Sequence, residues 1–596
     1  MPGITGTLDI ARWALYSSQL AIEVTSHNIA NADTAGFSRQ KLQIETNPPI
    51  KMTPGQMGTG ATATQVIRSY DAFVNEQVNL KTSQYYFWNA QSEALQEVET
   101  IFNESDEYGL NQVMADFWGA WSDLSDNPDG MPERESLLAK SENLIQLIGD
   151  LDYNLREYQK NLDNNIKGSV DKVNTIIGQI AGLNAQISGL EVEGSINAND
   201  LRDSRELLVE ELSKYMDISY YEEQSSGQVM VYILGGTPLV LGQDTYEINY
   251  QQNNSTGLAD LFWEDSSGRT VDITDRLEGG KLAGWVEVRD NKVGTYIETL
   301  NTLTEELVWQ VNSLHSEGVG LQSVDSMVGT VEITAATDGL STDFLFSDRY
   351  NTGGQFDIVV YNSSGTVANT YTINPGADTV AALMAEINAE SAAGGGELTA
   401  SLTGGATGYF QIQSDPGYTF AVKHNDAGSS NALAVMGVNS FFSWVEESGL
   451  PATDLEDITQ TLDLNGTLKA NPQLIVAGYL DGSDRVAPGN NDVAIAIASI
   501  QDKVVTNLGG TGVSTTIDSY YSSFVARIGI DTENAVLNEK FNSSLLDQYI
   551  QKKESITGVS LDEEMAEILK YQYLYQSAAK LISICDEMME TLLSIK

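Results

Sequence analysis

Apolar and small residues recur every seven positions near the start of the chain. One line contains Leu8, Leu15, Ile22 and Ile29, and a line midway between them contains Ala11, Ser18, Thr25 and Ala32. A heptad pattern of this kind predicts a helix that packs against another helix along its length. The partner has to come from elsewhere in the chain or from another molecule.

A run of small and polar residues from 28 to 40 ends this predicted helix. Its Asn, Asp and Thr side chains compete with the helix for backbone hydrogen bonds. Gly36 can adopt the positive φ that is typical of a helix C-terminus. We interpret Asn28, Asn31 and Gly36 as residues that terminate the helix and shape the bend after it.

The C-terminal segment carries a matching pattern on more than one face. One apolar line contains Leu561, Ile568, Tyr575, Ile582 and Met589. A second contains Tyr571, Ala578, Cys585 and Leu592, and a third contains Leu574, Leu581, Met588 and Ile595. Because two apolar faces exceed what one partner buries, this helix is predicted to contact a helix of its own chain and a second surface.

The same helix has a well-defined predicted start. Ser560 is the expected N-cap, and Asp562, Glu563 and Glu564 lie in the first turn. Their negative charges complement the positive end of the helix dipole. The helix is therefore expected to begin at about residue 561.

Between the two ends the pattern changes repeatedly from helical to strand-like. Helical spacing covers residues 70–104, 133–190 and 293–314 and returns from about residue 490. Alternating or turn-rich sequence covers residues 216–279, 318–450 and 451–484. Within the second of these segments, one helix is predicted near residues 379–390. If continuous, helix 133–190 would span about 85 Å. A rod of this length suits a scaffold better than an enzyme core.

These patterns predict an α+β multidomain fold. The N- and C-terminal helices pair in a coiled-coil rod, a long-helix bundle forms a second domain, and nested β-rich domains are inserted in mid-chain. The predicted boundaries are 1–60 plus 551–596 for the terminal assembly domain, 61–215 plus 280–320 plus 485–550 for the helical rod domain, 216–279 plus 451–484 for a β-rich domain, and 321–450 for an inserted outer β-rich domain.

The chain is strongly acidic, with 83 Asp and Glu against 32 Lys and Arg and a formal net charge of −51. This charge argues against nucleic acid or an anionic membrane as a partner. Residues 1–60, however, contain four basic and four acidic residues, and residues 551–596 contain five and eight. Solubility explains the overall charge. The nearly neutral ends also fit close packing of many copies of the chain, because strongly acidic ends would repel one another.

Residues that usually catalyse reactions or bind metals are scarce. Cys585 is the only cysteine, which excludes an intramolecular disulfide, and the three histidines, His27, His315 and His424, lie far apart in the sequence. We interpret Cys585 as a small hydrophobic residue and His27 as a neutral polar one. P-loop, zinc-protease and serine-hydrolase motifs are absent, and the acidic loop 481–484 lacks EF-hand spacing. The sequence therefore predicts no enzyme, no cofactor and no metal.

The sequence shows no membrane or secretory segment. No apolar run approaches the roughly 18 residues of a membrane-spanning helix. Asp9 and Arg12 interrupt the N-terminal segment, so we do not expect a cleavable signal peptide. If the protein leaves the cell, it is expected to use a route that needs no such peptide.

Two terminal motifs resemble those of a known family. Residues 28–40 resemble the N-terminal signature of the bacterial flagellar axial proteins, which comprise rod, hook and hook-associated subunits, and residues 558–564 resemble their C-terminal signature. Residues 37–40 are closer to the hook-associated subunits than to the hook or rod proteins. The resemblance extends to 198–205, 236–242, 279–284, 312–318 and 520–524, is weakest over 321–450, and is imperfect at Ser204, where the family usually has Gln.

The resemblance implies a structural subunit of the bacterial flagellum. Copies are expected to form a ring at the junction between hook and filament, which filament assembly requires, and to contact the hook protein and a second junction protein, hook-associated protein 3. The chain is expected to pass uncleaved through the flagellar type III export apparatus to the cell exterior. A dedicated export chaperone is expected to hold the C-terminal helix.

The residues predicted to serve subunit packing follow from the heptad lines and the two motifs. In the N-terminal part they are Leu8, Ala11, Leu15, Ser18, Ile22, Thr25, Asn28, Ile29, Asn31, Gly36, Phe37 and Arg39. In the C-terminal part, where the chaperone is also expected to bind, they are Leu561, Ile568, Leu574, Tyr575, Leu581, Ile582, Met588, Met589 and Leu592. Arg39 has two interpretations, a surface charge or a pair with a neighbouring subunit.

Two other hypotheses stay open. The chain could be another flagellar axial subunit, such as a hook or distal-rod protein, but residues 37–40 and the long helix 133–190 favour a hook-associated subunit. It could also be a secreted adhesin or carbohydrate-active enzyme on a coiled-coil stalk, which paired heptads at both ends disfavour.

Overall fold

The chain forms two compact units. Unit 1 contains Met1–Gln96, Lys160–Asn291 and Asp531–Lys596, and unit 2 contains Glu97–Gln159 and Lys292–Ile530. The structure, a computed structural model, describes residues 3–53, 55–102, 109–191, 196–223, 226–233, 235–376, 379–425, 428–446, 448, 457–506, 508, 512 and 514–594. The division of the sequence into four domains stays a prediction.

Helices occupy most of the described residues. In chain order they are α1 (Ile4–Ala30), α2 (Ala72–Ile101), α3 (Leu110–Asp126), α4 (Met131–Leu190), α5 (Asn199–Ser213), α6 (Gly280–Val286), α7 (Gly294–His315), α8 (Val380–Gly394), α9 (Ala432–Val435), α10 (Ile458–Thr461), α11 (Gly466–Ala470), α12 (Asp492–Ala498), α13 (Ile517–Thr557) and α14 (Leu561–Ser594). The predicted long helices are confirmed, and α4 runs without a break for 60 residues. None of the described helices is long and apolar enough to cross a membrane.

Short strands lie between the helices. They are β1 (Gln40–Thr46), β2 (Ile50–Met52), β3 (Gly55–Met57), β4 (Ala61–Arg68), β5 (Ile218–Glu222), β6 (Val229–Ile233), β7 (Thr237–Leu241), β8 (Asp244–Thr245), β9 (Ile248–Gln252), β10 (Ala259–Glu264), β11 (Thr270–Asp272), β12 (Ser326–Ile333), β13 (Phe356–Asn362), β14 (Val367–Ile373), β15 (Leu398–Leu402), β16 (Gly408–Ser414), β17 (Tyr418–His424), β18 (Phe442–Ser443) and β19 (Asp463–Leu464). Together with the helices they confirm the predicted α+β fold.

The described part of the segment predicted as strand and turn, residues 457–484, instead contains the one-turn helices α10 and α11, the 3₁₀ turn Pro472–Leu474 and the two-residue strand β19. Local side-chain hydrogen bonds explain α11 and the 3₁₀ turn. Asn465 accepts the Thr467 N–H at 3.0 Å, and Asn471 accepts the Gln473 N–H at 3.3 Å. Such Asn caps start short helical turns that an alternating pattern does not reveal. Residues 451–456 lie outside the described residues.

In unit 1, the two terminal helices α1 and α14 pack against each other, and α1 also contacts β1 and β4. Strands β1 and β4 pair antiparallel from Gln40 opposite Arg68 to Thr46 opposite Ala61, and β2 and β3 form a hairpin between them. Two further sheets, β5-β6-β7-β8 and β11-β10-β9, share one core with α4 and α5. Helix α5 belongs to this core, and the Arg68–Asp203 ion pair connects it to β4.

In unit 2, a cluster of aromatic rings surrounds the end of α7. The Phe441 ring lies 5.1 Å from Trp121 of α3 and 5.6 Å from His315. The His315 Nδ1 lies 2.7 Å from the Asn439 carbonyl oxygen, and Nε2 accepts the Val476 N–H at 3.0 Å. Burial lowers the pKa of His315 to about 4, so the ring is neutral in this position.

The predicted β-rich insert also belongs to unit 2. It contains the antiparallel sheets β14-β13-β17 and β12-β16-β15. Helix α8, predicted near 379–390, packs on β14 and β15. The insert shares part of its core with the rest of unit 2, because Val359, Tyr361 and Ala421 cluster with Val319 and Leu480.

Candidate assembly interface

Four residues from both ends of the chain meet where α1 ends and α14 begins. Asn28 donates its side-chain N–H groups to the Gln40 carbonyl at 2.9 Å and to Glu564 Oε2 at 2.8 Å. The Gln40 backbone N–H donates to Asn28 Oδ1 at 2.9 Å. Arg39 donates through Nε to Glu564 Oε1 at 2.6 Å. We call Asn28, Arg39, Gln40 and Glu564 the terminal clamp, and it makes α1 and α14 antiparallel.

The carboxylate at the centre of the clamp is buried. Only 2% of Glu564 and 1% of Asn28 is exposed. A buried carboxylate is stable only when charges and hydrogen-bond donors replace water, and here Arg39 and Asn28 do so. Glu564 therefore has a more specific role than its predicted interaction with the helix dipole.

The Arg39 side chain forms ion pairs with α14 of its own chain. Besides Glu564, its Nη1 donates to Glu563 at 2.9 Å, and its backbone N–H donates to the Thr557 carbonyl at 2.8 Å. The sequence left open whether Arg39 is a surface charge or pairs with a neighbouring subunit. In the structure the pair lies within one chain, which fixes the start of α14 against β1.

A second layer of contacts connects the clamp to α5. The Ser38 N–H donates to Asp203 at 2.9 Å, and the Gln40 side chain donates to Asp200 at 2.7 Å. Arg68 on β4 donates to Asp203 at 2.9 Å and to Glu206 at 2.5 Å. Burial lowers the pKa of Arg68, but the charges and hydrogen bonds of Glu206 and Asp203 outweigh it and raise that pKa above its usual range.

The residues between α1 and the clamp form a turn. Asn31 donates its side-chain N–H to the His27 carbonyl at 3.0 Å, which closes the last turn of α1. Gly36 has a φ of +77°, as predicted, but it lies six residues beyond Ala30 and turns the chain into β1 rather than capping the helix. Phe37 is half-buried, and its ring meets the His27 ring edge-on at 5.4 Å.

The N-terminal heptad lines are not equally buried. Ala11, Ser18 and Thr25 are buried, as is Asn28. The larger residues are only half-buried: Leu8, Leu15, Ile22 and Ile29. The Ser18 and Thr25 hydroxyls donate to backbone carbonyls one turn earlier, at 2.7 and 2.8 Å, so their burial leaves no unpaired donor. The line of small residues therefore forms the close contact of α1.

On α14, small residues again provide the close contact. Ala578 and Cys585 are buried, and Ile568, Ile582 and Met589 beside them are half-buried. Most other predicted packing residues are exposed: Leu561, Leu574, Tyr575, Leu581, Met588 and Leu592. Ile595 lies outside the described residues. We call Leu574, Leu581 and Met588 the outer line, and α1 does not cover it.

Comparison with known families matches the chain in three places. The model for the flagella basal body rod protein matches residues 8–37, and that for the C-terminal region of flagellar basal body rod proteins matches residues 551–595. The model for the helical domain of the flagellar hook-associated protein FlgK matches residues 95–327. The chain is thus similar to the flagellar hook-associated protein family over its helical middle part and to flagellar rod proteins at both ends. The matched terminal regions contain Asn28 and Glu564 of the clamp, and Arg39 and Gln40 follow shortly after the first region.

Relatives of the family match over nearly the full length. Flagellar hook-associated protein 1 of Bacillus subtilis is 24% identical over 98% of this chain and 97% of its own. The proteins of the same name in Escherichia coli and Salmonella typhimurium are 23% and 21% identical, each over 100% of both chains. The order of segments is therefore shared from end to end.

A solved structure has the same fold. The flagellar hook junction protein FlgK from Burkholderia pseudomallei aligns with a TM-score of 0.50 and 15% identity, covering 81% of this chain and all of its own. The comparison supports the α+β architecture of this chain.

Sequence reasoning missed the acidic partners of the clamp. Asp200 and Asp203 lie in a segment that resembled the family, but nothing local indicated that they bind residues 38–40. The only sequence signal for this contact was that residues 198–205 and both terminal motifs resemble the same family. Glu564 was noticed for its place in the first turn of α14, not for its contact with Asn28.

Proposed function

We propose that this chain is a structural subunit of the bacterial flagellum that forms a junction ring between hook and filament. Filament assembly requires this ring. The observation that carries the proposal is the outer line of α14, which stays uncovered beside a terminal helix pair closed by the clamp. In a family of flagellar hook-associated proteins, this free apolar line is a surface for neighbouring subunits.

The predicted packing residues divide into two groups within this proposal. Those that face α1 or lie in the clamp build the terminal rod of each copy, and the outer line joins copies. The near-neutral charge of the ends supports this arrangement, since acidic copies would repel one another at close range. The expected partners are further copies of the chain, the hook protein and hook-associated protein 3.

The proposal includes export and excludes catalysis. The chain leaves the cell through the flagellar type III apparatus without cleavage, and an export chaperone covers α14 beforehand. The exposed apolar residues of α14 support the need for such a cover, because large exposed apolar surfaces promote aggregation. The chain acts as a building element and performs no reaction.

Deletion of the gene tests the junction role. We expect cells that keep their hooks, lack filaments and release flagellin into the medium, and the wild-type gene restores filaments. Loss of the hooks themselves would instead indicate a hook or rod subunit. Normal motility would end the proposal.

A further inference from the structure

An open apolar groove lies between the first turns of α1 and the β2–β3 hairpin. It has a volume of about 310 Å³. Ile10 and Trp13 form the helix side, and Ile50, Met52 and Met57 form the hairpin side. Ile50 and Met57, which face each other across the hairpin, are 52% and 50% exposed. The groove therefore has apolar walls and no occupant from the described part of the chain.

The C-terminal end of α14 extends past the start of α1. The clamp places residue 564 level with residue 28, so α14 runs 30 residues beyond this point while α1 runs 24. At the rise of an α-helix, the difference of six residues is about 9 Å. Leu592 and Leu593 in this overhang are 62% and 76% exposed. The overhang has nothing of its own α1 to pack on.

Charges favour an encounter between these two surfaces. Arg12 on the groove rim lies over the Trp13 ring at 5.5 Å, and no described carboxylate forms an ion pair with it. The last turns of α14 carry the exposed carboxylates Asp586, Glu587 and Glu590, of which Glu590 lies in the overhang. Asp9 on the same rim offsets part of the attraction, so apolar contact supplies most of the binding.

We propose that the overhang of α14 in one copy inserts into the α1–hairpin groove of a second copy. The inference rests on the proposed function and names the surfaces through which copies join. Because the overhang and the groove are different surfaces, the contact is heterologous. Heterologous contacts close into a ring when the rotation between copies allows it.

Filling the groove tests the acceptor side. Gly6 lines the groove, and a Cβ added there meets no atom within 4 Å, so Gly6→Phe places a large side chain at the groove from an open position. The change also favours the helix, since glycine is a poor helix former. Gly168→Phe is the matched control, because Gly168 is an exposed helical glycine of α4 with equally open surroundings.

In cells that lack the gene, we expect Gly6→Phe protein to be exported normally but to restore about tenfold fewer filaments than Gly168→Phe, the effect of losing one apolar anchor. Equal restoration by the two variants would overturn the groove contact while leaving the junction role intact.

A disulfide between two copies tests both sides together. Both chains carry Cys585→Ala, one carries Met57→Cys with one affinity tag, and the other carries Leu593→Cys with a different tag. Since each chain then has a single cysteine, a bond between the two tags joins separate copies. Replacing Met57→Cys by Leu190→Cys, at an exposed residue of α4 outside the groove, gives the control pair.

We expect the mixed dimer in isolated hook–filament complexes for the first pair and at least about tenfold less for the control pair. Complexes that form without the mixed dimer overturn the inference but not the proposed function. If deletion leaves filaments normal, the proposed function fails, and the same oxidation of mixed purified chains at high concentration decides the groove contact alone.

Discussion

At the scale of single residues, Glu564 connects three parts of the chain. It accepts hydrogen bonds from Asn28 at the end of α1 and from Arg39 at the start of β1, while itself lying in the first turn of α14. Because its side chain is only 2% exposed, water does not compete for these hydrogen bonds. One carboxylate thus orients both terminal helices.

We expect Glu564→Gln to weaken the pairing of α1 and α14 by about 2 kcal/mol, the typical effect of losing hydrogen bonds to a buried charge. Glu563→Gln is the matched control, since Glu563 also pairs with Arg39 but has a side chain that is 65% exposed. Loss of the Glu563–Arg39 ion pair should weaken the pairing of the two helices by less than about 1 kcal/mol. Amide hydrogen exchange in α1 and α14 measures both values, and equal effects would contradict the role of burial.

His315 gives unit 2 a pH dependence. Burial lowers its pKa in the folded chain to about 4, whereas the unfolded chain takes up this proton near pH 6.5. Between these values the unfolded state binds more protons, so stability falls as the pH is lowered, by up to about 3 kcal/mol. The urea midpoint of unit 2 should therefore drop from pH 7 to pH 4.5.

In His315→Gln the midpoint should be lower at pH 7, because hydrogen bonds to Asn439 and Val476 are lost, and its change with pH should be smaller. Other groups titrate alike in both proteins, so the difference in slope isolates His315. Identical slopes would show that this histidine does not stay neutral in the folded chain.

At the scale of elements, small residues bring α1 and α14 together. Ala11 and Ala21 on α1 and Ala578 and Cys585 on α14 are each at most 2% exposed. Small side chains let two helix backbones approach closely, and larger residues beside them then remain half-covered. This geometry leaves the outer line of α14 free for other contacts.

Enlarging a residue in this contact should separate the helices. We expect Ala578→Leu to destabilise the pair by about 1–3 kcal/mol through overpacking. Ala566→Leu, an exposed alanine on the same helix, should be nearly neutral. Hydrogen exchange of α1 amides provides the comparison, and a neutral Ala578→Leu would mean that the helices are not closely packed there.

At the scale of the whole molecule, the two ends of the chain form one element of limited stability. In α14, the described buried residues are Glu564, Ala578 and Cys585. Few buried contacts give a low free energy of local opening, whereas the cores of both units are extensive. If neighbouring copies cover its outer line, as we propose, the terminal pair gains stability.

Limited proteolysis of the dilute protein should consequently remove about 50 residues from each end first and leave the remainder intact. Mass spectrometry of the fragments identifies the cleavage positions. The same digestion of assembled hook–filament complexes should leave the ends uncut. Termini that resist protease in the dilute monomer would argue against completion of this element by assembly.

The sequence by itself determined the lengths of the long helices and the presence of apolar lines at both ends. Helical periodicity is a local property, so α4 and α7 were predicted close to their observed bounds, and the exposed outer line was expected from two apolar faces. Helix α11 and the 3₁₀ turn Pro472–Leu474 escaped prediction because single Asn caps, not periodicity, start them.

Only the tertiary structure decided which line of α1 makes the close contact and what Arg39 binds. Periodicity marks both the line of Leu8 and Leu15 and the line of Ala11 and Ser18 as candidates for the contact with α14. The choice between them depends on how closely the two helix backbones can approach. Arg39 and Glu564 are 525 positions apart, and no local pattern encodes a contact of that range. Folding brings them together because each needs an opposite charge once both are removed from water.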